Sequence, residues 1–346
     1  IMIKKILKSI AISAMALTVI ISHTACKSNE TNETAGDPVS KTEFHLNTSC
    51  TIEIRNMETS KANDVIAKAF KECEKYENLL SRTVEGSDIY KINHSDGKPV
   101  KVSDDAKYLI EESKKISEQT SGIFDSTIGK IEELWNFTGD NPKVPPQGDI
   151  QKALTQVGYK NVKVDGNTVT LENKRPFLDL GASAKGYIAD RLYDFLKKEG
   201  VKSAIINLGG NVVAVGGKEG DKDWKIGIES PYSKKQNVIG AVSVKDKTIV
   251  TSGTYERYFE EKGKKYHHIL DPKTGFPRNT DVLSVSIMAK SGKSVTCDLY
   301  STTCLLLGKE KAIEFMKDKK GFEYCIVDNN QKITKSPGFN LSQQGE

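Results

Sequence analysis

The segment YHHILDPKTGFP, residues 266–277, places two of the chain's five histidines side by side, directly before a turn sequence. Pro272 and Gly275 occupy positions that favour such a turn. Histidine changes its charge near neutral pH, so one of the pair could transfer protons or bind a ligand. The alternative is a β-strand whose neighbouring residues point to opposite faces, with one ring on the surface. This segment alone leaves both interpretations open.

A second candidate site is the segment LDLGASAKGYIAD, residues 178–190. Asp179 ends a predicted strand, Gly181 permits a tight turn, and the small residues that follow open a helix. The free N–H groups at a helix start attract anions, and Lys185 in the first turn adds a positive charge. These features favour phosphate binding over the alternative, a solvated Lys185 beside small residues that only allow close packing. The spacing matches neither a Walker loop nor a dinucleotide-binding fingerprint.

The segment CDLYSTT, residues 297–303, is a candidate metal site. Asp298 and Thr302 are four residues apart and therefore share one face of a helix. A carboxylate and a hydroxyl can hold a hard cation such as Mg²⁺, with phosphate oxygens and water completing its coordination shell. Taken alone, the segment favours the ordinary alternative, in which Thr302 bonds a helix carbonyl and Asp298 caps the helix or is solvated. The metal hypothesis gains weight if the phosphate site is real.

Two further segments combine polar residues with turn signals. In SGIFDSTIGKIEELW, Gly122 and Asp125 bracket Phe124, which also suits a core aromatic residue followed by a helix cap. In TSGTYERYFEEKGKKYHHILDPKTGFP, a glycine turn follows a strand, and EEKGKK predicts a hairpin with a charged tip.

The elements that would position these residues predict an α+β fold with mixed or antiparallel sheets and packed helices. Apolar spacing predicts a helix in ANDVIAKAFKECEKYENLLS, and Ser103 caps a second helix that runs to about Gln119. A third helix begins near Ala182 and ends before Gly200, and SVTCDLYSTTCLLLG forms another, followed by one more helix and a strand pair. PKVPPQGD is a predicted loop. CTIEIRN is the predicted opening strand. Further strands are predicted at 162–164 and 169–171, and in SAIINLGGNVVAVGGK, WKIGIES, VIGAVSV, TIVTSG, HHIL and LSVSIM.

The N-terminal residues predict a lipoprotein signal peptide over residues 1–25. A basic start precedes the apolar residues 10–21, which are too few to span a bilayer, and small residues lead to Cys26. Lipidation of Cys26 is favoured over plain secretion, although His23 stands where lipoproteins usually carry Leu. Residues 26–40 are polar and predict a flexible tether, and residues 41–341 predict one folded domain.

Charge and cysteine content exclude several classes of function. The formal net charge is +5, but lysines and acidic residues are interspersed, so a nucleic-acid partner is not expected. Five of the six cysteines follow Cys26 without CxxC spacing, which argues against a disulfide scaffold and a zinc site. Buried free thiols are expected at Cys73, Cys297 and Cys304.

Several stretches, in this order, resemble the ApbE-like FAD:protein FMN transferases: LSRTVEGSDIYKIN, SGIFDSTIG, LDLGASAKGYIAD, NLGGN, VTSGTYERY with HHILDPKTG, and CDLYSTTCLLLG. They span residues 80–308. The resemblance implies an ApbE-like two-lobed single domain. It implies transfer of FMN from FAD to a Thr or Ser hydroxyl of a partner protein with an FMN-binding domain, with AMP leaving.

The resemblance also implies roles for individual residues. Mg²⁺ would be held by the Ala182 carbonyl, Asp298 and Thr302. His268 would be the base or would position the acceptor hydroxyl, whereas His267 is not needed. Leu46 stands where relatives often have Met, and Thr83 where they often have an aromatic residue, both at positions that usually line the flavin site. The implied FAD-binding residues are Leu46, Thr83, Ile123, Phe124, Asp125, Asp179, Lys185, His268, Ile269 and Ser301.

Alternative functions use the same residues. An Mg²⁺-dependent FAD pyrophosphatase would replace the acceptor hydroxyl with water. A non-catalytic flavin-binding lipoprotein would hardly need the metal, so Asp298 and Thr302 argue against it. A zinc enzyme using both histidines has the least support, because no third ligand is evident. The predicted location is extracytoplasmic, lipid-anchored to the bacterial cell membrane.

Overall fold

The computed structural model describes residues 37–173, 176–232 and 237–342. The predicted signal peptide, Cys26 and most of the predicted tether lie outside these residues. The first strand begins at Val39, so the last two residues of the predicted tether already belong to the sheet. No helix within the described ranges is long and apolar enough to cross a bilayer.

The helices follow their caps and apolar spacing. In the first helix the Glu58 side chain accepts hydrogen bonds from the backbone N–H groups of Ser60 and Lys61. The predicted Ser103 cap is confirmed, because its hydroxyl accepts the backbone N–H of Ala106, but the helix is the third, since the short helix Asp88–Asn93 precedes it. The α-helices of the described residues are α1 Thr59–Leu80, α2 Asp88–Asn93, α3 Asp104–Gln119, α4 Gly129–Trp135, α5 Gln147–Leu154, α6 Gly181–Lys198, α7 Ser294–Leu307 and α8 Lys309–Met316.

All paired strands within the described residues are antiparallel. The strands are β1 Val39–His45, β2 Thr48–Arg55, β3 Val100–Lys101, β4 Val162–Asp165, β5 Thr168–Leu171, β6 Ser203–Leu208, β7 Asn211–Val215, β8 Trp224–Glu229, β9 Val238–Val244, β10 Lys247–Gly253, β11 Tyr258–Glu261, β12 Lys264–His267, β13 Val282–Lys290, β14 Glu323–Asp328, β15 Ile333–Lys335 and β16 Leu341–Ser342. The main sheet has the order β1-β2-β6-β7-β10-β13-β14-β15, and three small sheets comprise β16-β9-β8, β3-β5-β4 and β11-β12.

The main sheet is covered on both faces, and strand alternation sorts its residues between them. In β6, Ala204 and Ile206 face a core shared with α1 and α6, whereas Ile205 packs with Trp224 of β8 on the other side. Helix α7 packs over β10 and β13. The start of α6 and one face of α7 therefore meet above the centre of the sheet.

The α+β prediction is confirmed, and so are most predicted elements. Three local predictions are wrong. The strand CTIEIRN is the second strand, because β1 pairs with it over 39–45. The PKVPPQGD loop ends early, since α5 begins at Gln147. The HHIL strand is displaced towards the N-terminus, since β12 spans Lys264–His267 and includes only the first residue of HHIL. The five cysteines of the described residues are free and buried, which confirms the expectation for Cys73, Cys297 and Cys304.

Candidate active site

A cavity of about 850 Å³, including its open mouth, lies where α6, α7, the end of β10 and the turn after β12 converge. This volume is in the range of ligand pockets. Nine of the predicted site residues line it: Phe124, Asp125, Asp179, Ala182, Lys185, His268, Ile269, Asp298 and Thr302. Four sequence segments that are separate in the chain, around residues 125, 182, 268 and 298, thus meet at one site.

The start of α6 forms one wall of the cavity. Gly181, Ala182 and Lys185 line it, and the backbone N–H of Gly181 donates to Asp179 Oδ1 at 2.6 Å. Arg82 forms an ion pair with the other oxygen of Asp179. Lys185 has no carboxylate partner among the described residues. The N–H groups of Gly181, Ser183 and Ala184 already have acceptors, so the features of the predicted anion site that remain are the unpaired Lys185 and the positive end of the helix dipole.

Asp298 is buried on the facing side, in α7. Its Oδ2 accepts hydrogen bonds from the Gly186 backbone N–H at 2.9 Å and from Asn211 Nδ2 at 3.2 Å. In a regular helix the Gly186 N–H points to the carbonyl of Ala182, four residues earlier. The Ala182 carbonyl and the Asp298 carboxylate therefore lie around the same N–H, at the cavity wall that both residues line.

These groups fit the predicted magnesium site. Burial raises the pKa of Asp298, and the nearby Lys185 partly offsets this shift. Among the described residues the carboxylate has no cationic partner within salt-bridge distance, although it is buried, so a cation would compensate its charge. A backbone carbonyl, a carboxylate and the Thr302 hydroxyl are the hard oxygen donors that Mg²⁺ prefers. The role of these residues as ligands stays a prediction.

Two serines form hydrogen bonds beside the candidate metal ligands, and only one of them lines the cavity. Ser252 lines the cavity, and its hydroxyl lies 3.4 Å from Thr302 Oγ1 and 2.7 Å from Ser301 Oγ. Ser301 is fully buried and donates to the Asp298 carbonyl at 2.9 Å. The hydroxyl of Ser301 therefore supports the cavity from behind, whereas Ser252 borders the ligand space.

His268 lines the cavity and His267 does not. His268 Nδ1 donates to the Arg257 carbonyl at 3.2 Å; because a carbonyl only accepts, Nδ1 carries the hydrogen and Nε2 of the neutral ring has the lone pair. Burial, with the positive charges of Arg257 and Lys185, lowers the pKa of His268 to about 3. The ring is therefore neutral at pH 7, in the tautomer in which Nε2 can accept a proton.

The other histidine of the pair, His267, belongs to the β11–β12 hairpin. It pairs with Tyr258 across the hairpin, and its Nδ1 accepts the backbone N–H of Ile269 at 3.3 Å. Burial and the charge of Lys265 lower its pKa to about 4. The two rings have different surroundings, and only His268 borders the ligand space.

Asp125 lines the cavity but is also a structural residue. Its Oδ1 accepts the backbone N–H of Thr127 at 2.9 Å and the hydroxyl of Thr127 at 2.7 Å, and its Oδ2 accepts the N–H of Tyr159 at 3.0 Å. Burial raises the pKa of Asp125, and these hydrogen bonds lower it. The neighbouring Phe124 is a buried aromatic residue whose side chain borders the cavity. Both the core and the binding interpretations of this segment therefore apply.

Four predicted binding residues do not line the cavity. Leu46 lies in the β1–β2 turn, where its N–H donates to Glu77 Oε1 at 2.8 Å and its side chain packs beside α1 and β2. Thr83 is exposed and bonds the Ser81 hydroxyl. Ile123 packs on the core formed by α3 and α7, and Ser301 lies behind the wall as described above. Their binding roles stay predictions.

Sequence reasoning missed several cavity residues, among them the polar or charged Glu132, Ser252, Glu256 and Arg257. Burial raises the pKa of Glu132 well above its usual range, and the charge of Asp179 raises it further. Burial also raises the pKa of Glu256, whereas Lys185 and Arg257 lower it. Charged residues in YERY, directly after a glycine turn and before a hairpin, were the available signal for the last two.

Sequence and structure comparisons place this arrangement among known proteins. A sequence model of the ApbE family matches residues 46–326, which include every cavity residue. This chain belongs to the ApbE family. The predicted family and fold class are confirmed, and the expectation that the chain is an enzyme of this family is confirmed with them.

Individual members of the ApbE family are similar over most of their length. The FAD:protein FMN transferase of Klebsiella pneumoniae strain 342 is 36% identical over 273 residues, covering 78% of this chain and 84% of that relative. The FAD:protein FMN transferase of Treponema pallidum strain Nichols is 33% identical over 317 residues, 87% of each chain. The crystal structure of the ApbE protein of Thermotoga maritima superposes with a TM-score of 0.79 at 33% identity, covering 88% of this chain and 98% of that structure.

Proposed function

We propose that this protein transfers FMN from FAD to a Thr or Ser hydroxyl of a partner protein, releasing AMP, with Mg²⁺ as its metal ion. The names of the relatives that are 36% and 33% identical support FAD as the donor and a protein as the acceptor. The observation that carries the proposal is the placement of Asp298 and Thr302 in one cavity with Lys185 and His268.

The cavity residues divide the reaction between them. The ammonium of Lys185 and the positive dipole end of α6 bind the pyrophosphate and hold it against the wall of α7. Ala182, Asp298 and Thr302 would hold Mg²⁺, which when bound supplies positive charge at the pyrophosphate. His268 Nε2 accepts the proton of the acceptor hydroxyl as that oxygen attacks the phosphorus on the FMN side.

A low pKa does not prevent His268 from acting in this way. Positioning and charge stabilisation dominate phosphoryl transfer, and the proton moves late if the transition state is loose. The bound pyrophosphate would place negative charge beside the ring, which opposes the effect of Arg257 and Lys185 and raises the pKa of His268 in the complex. Before the ligand binds, the low pKa keeps Nε2 neutral over the whole physiological pH range, and the higher pKa in the complex makes it a stronger base.

The proposal includes the surroundings of the enzyme. The acceptor is a protein with an FMN-binding domain, and lipidation at Cys26 with a tether over residues 26–38 would hold the enzyme at the outer face of the bacterial cell membrane. The polar composition of that stretch and the small residues before Cys26 support this part of the proposal. Metabolic labelling with a palmitate analogue tests it, with Cys26→Ser as the control that should abolish the label.

The enzymatic test combines purified protein, FAD, Mg²⁺ and an acceptor with an FMN-binding domain. Flavin fluorescence that remains on the acceptor in a denaturing gel supports the transferase. Free FMN and AMP without labelling would favour FAD pyrophosphatase activity, and neither product would favour a flavin-binding protein. Asp298→Asn should abolish labelling, whereas Asp149→Asn on the exposed face of α5 should not.

A further inference from the structure

Arg257 differs from the other arginines of the described residues. It lines the cavity, and its guanidinium has no carboxylate within salt-bridge distance in the part of the chain that the structure describes. The other four arginines there each pair with an acidic residue: Arg55 with Glu53, Arg82 with Asp179, Arg191 with Asp194, and Arg278 with Asp271. The unpaired guanidinium is therefore at the site where an anionic ligand is expected.

The backbone of Arg257 fixes its place next to His268. The Arg257 carbonyl accepts both the backbone N–H of His268 at 3.1 Å and its Nδ1–H at 3.2 Å. One residue thus orients the imidazole with its carbonyl and carries a positive charge at the same end of the cavity. Any displacement of the β10–β11 connection moves both groups together.

Among the described residues, the positive charges of Arg257 and Lys185 have no salt-bridge partner. Arg257 and Lys185 both lie close enough to His268 to lower its pKa, so two cations surround a neutral ring. Glu256 is near both cations, and Glu132 is close enough for Arg257 to lower its pKa, but burial raises the pKa of each carboxyl, and neither forms a salt bridge with Arg257. A guanidinium in a half-enclosed cavity needs an anion, and its planar fork matches two oxygens of a phosphoryl group.

We propose that Arg257 is a further catalytic residue, whose guanidinium binds the phosphoryl group that is transferred and stabilises the negative charge that develops on it. This inference rests on the proposed function. It places Arg257 at the phosphorus on the FMN side, because that phosphorus lies next to the hydroxyl that His268 deprotonates. Lys185 and the Asp298–Thr302 face then bind the remainder of the pyrophosphate.

The proposed transfer of FMN is a substitution at phosphorus. The acceptor hydroxyl oxygen forms a bond to the phosphorus of FMN, and the bond from that phosphorus to the bridging oxygen breaks, with its electron pair leaving on AMP. The hydroxyl proton moves to His268 Nε2. Arg257 keeps its charge throughout, and its hydrogen bonds strengthen as charge accumulates on the oxygens of the phosphoryl group.

Three variants test this inference: Arg257→Ala, Arg257→Lys and, as the matched control, Arg191→Ala at the surface of α6. We expect Arg257→Ala to lower kcat for acceptor labelling by about 10²–10³-fold while FAD binding weakens by only a few-fold, because the interaction forms mainly in the transition state. Added methylguanidinium should restore part of this kcat. Arg257→Lys should remain at least about tenfold slow, because lysine lacks the fork.

Several results would overturn the inference. One is a kcat for Arg257→Ala within about threefold of the wild type. Another is loss of kcat without rescue by methylguanidinium in a variant that still binds FAD, since that pattern indicates a structural role. A wild-type protein that neither labels the acceptor nor releases FMN would instead refute the proposed function. Thermal melting of each variant identifies one that does not fold, in which case Arg257→Lys decides between the outcomes.

Discussion

Gly186 and Asp298 are joined by a hydrogen bond of 2.9 Å from the backbone N–H of one to Oδ2 of the other. This bond connects α6, which supplies the anion-binding helix start, to α7, which supplies the candidate metal ligands. The two helices approach closely here, since a Cβ at position 186 would lie 2.4 Å from the Ser294 carbonyl oxygen and 2.9 Å from Val295 Cα. The geometry of the site therefore depends on the absence of a side chain at Gly186.

Gly186→Ala should separate α6 from α7 and damage the candidate metal site. Overpacking against backbone atoms should lower the free energy of unfolding by about 1–3 kcal/mol. The movement should also weaken Mg²⁺ activation, measured as a higher half-saturating Mg²⁺ concentration for acceptor labelling. The control is Gly148→Ala in α5, where an added Cβ meets nothing within 4 Å. Equal stability and equal Mg²⁺ dependence in both variants would contradict the prediction.

The low pKa of His268 should appear in the pH dependence of stability. Burial lowers this pKa from 6.5 to about 3, so below pH 6.5 the unfolded chain binds a proton that the folded state does not. The free energy contributed by the neutral ring is fully present above pH 6.5 and is lost as the pH falls towards 3. Replacing His268 with Gln should therefore flatten the decline in urea-derived stability between pH 7 and pH 5.

His267→Gln is the comparison for this experiment. Burial is also the main cause that lowers the pKa of His267, to about 4. Acidification therefore again reduces the stability of the folded protein, but this loss is complete near pH 4. Both variants should lose less stability on acidification than the wild type, while only His268→Gln should lose acceptor labelling. An unchanged pH slope in His268→Gln would show that the ring is solvated in the folded protein.

Trp135 forms a hydrogen bond to the turn that follows the cavity residues His268 and Ile269. Its Nε1–H donates to the Gly275 carbonyl at 2.8 Å, across 140 positions of the chain. Trp135→Phe removes this donor and leaves a carbonyl unpaired, which should lower the free energy of unfolding by about 1–3 kcal/mol beyond the lost ring volume. The loosened turn should also slow acceptor labelling.

Trp224→Phe is a matched control for the Trp135 variant. Trp224 is equally buried, but its Nε1 has no hydrogen-bond partner among the described residues. The same change in volume should therefore cost less stability and leave labelling unaffected, because Trp224 lies in the core between the main sheet and β8–β9. Urea denaturation and initial labelling rates of the two variants measure the difference.

The parts of the site that the sequence predicted are those encoded by short local spacing. The i, i+4 relation of Asp298 and Thr302, and the small residues that start α6, depend only on helix geometry. Both lie on regular helices that end next to a glycine, so their spacing was readable without knowledge of the tertiary contacts. His268 was distinguished from His267 by a resemblance, and the structure adds the reason, which is the pair of bonds to the Arg257 carbonyl.

The parts that the sequence did not predict depend on contacts between distant segments. Ser252, at the end of β10, reaches the cavity only because β10 pairs with β13 below α7. Glu132 looks like an exposed helical residue until Asp179 and Arg82 approach it from other segments. The pairing of β1 with β2 was also hidden, because strand 39–45 is mostly polar and lies at the edge of the sheet. Local periodicity carries no information on such pairings.

Arg82 should be needed to keep two neighbouring acidic residues together at the cavity wall. It forms an ion pair with Asp179, and its charge lowers the pKa of Glu132, which burial and Asp179 raise. A folded-state pKa above the unfolded value means that Glu132 contributes stability below about pH 4.5 that is lost as the pH rises. Removing Arg82 raises this pKa further and therefore increases the loss at high pH.

Arg82→Gln should lower the free energy of unfolding by roughly 2–3 kcal/mol at pH 8, because it leaves buried carboxylates uncompensated. The decrease should be smaller at pH 5. Urea denaturation at the two pH values measures this difference. The double variant Arg82→Gln with Glu132→Gln removes the carboxyl that titrates, so the difference between pH 5 and pH 8 should shrink towards that of the wild type. If Arg82→Gln were equally destabilising at both pH values, Glu132 would not be coupled to Arg82, and the ion pair with Asp179 alone would account for the loss.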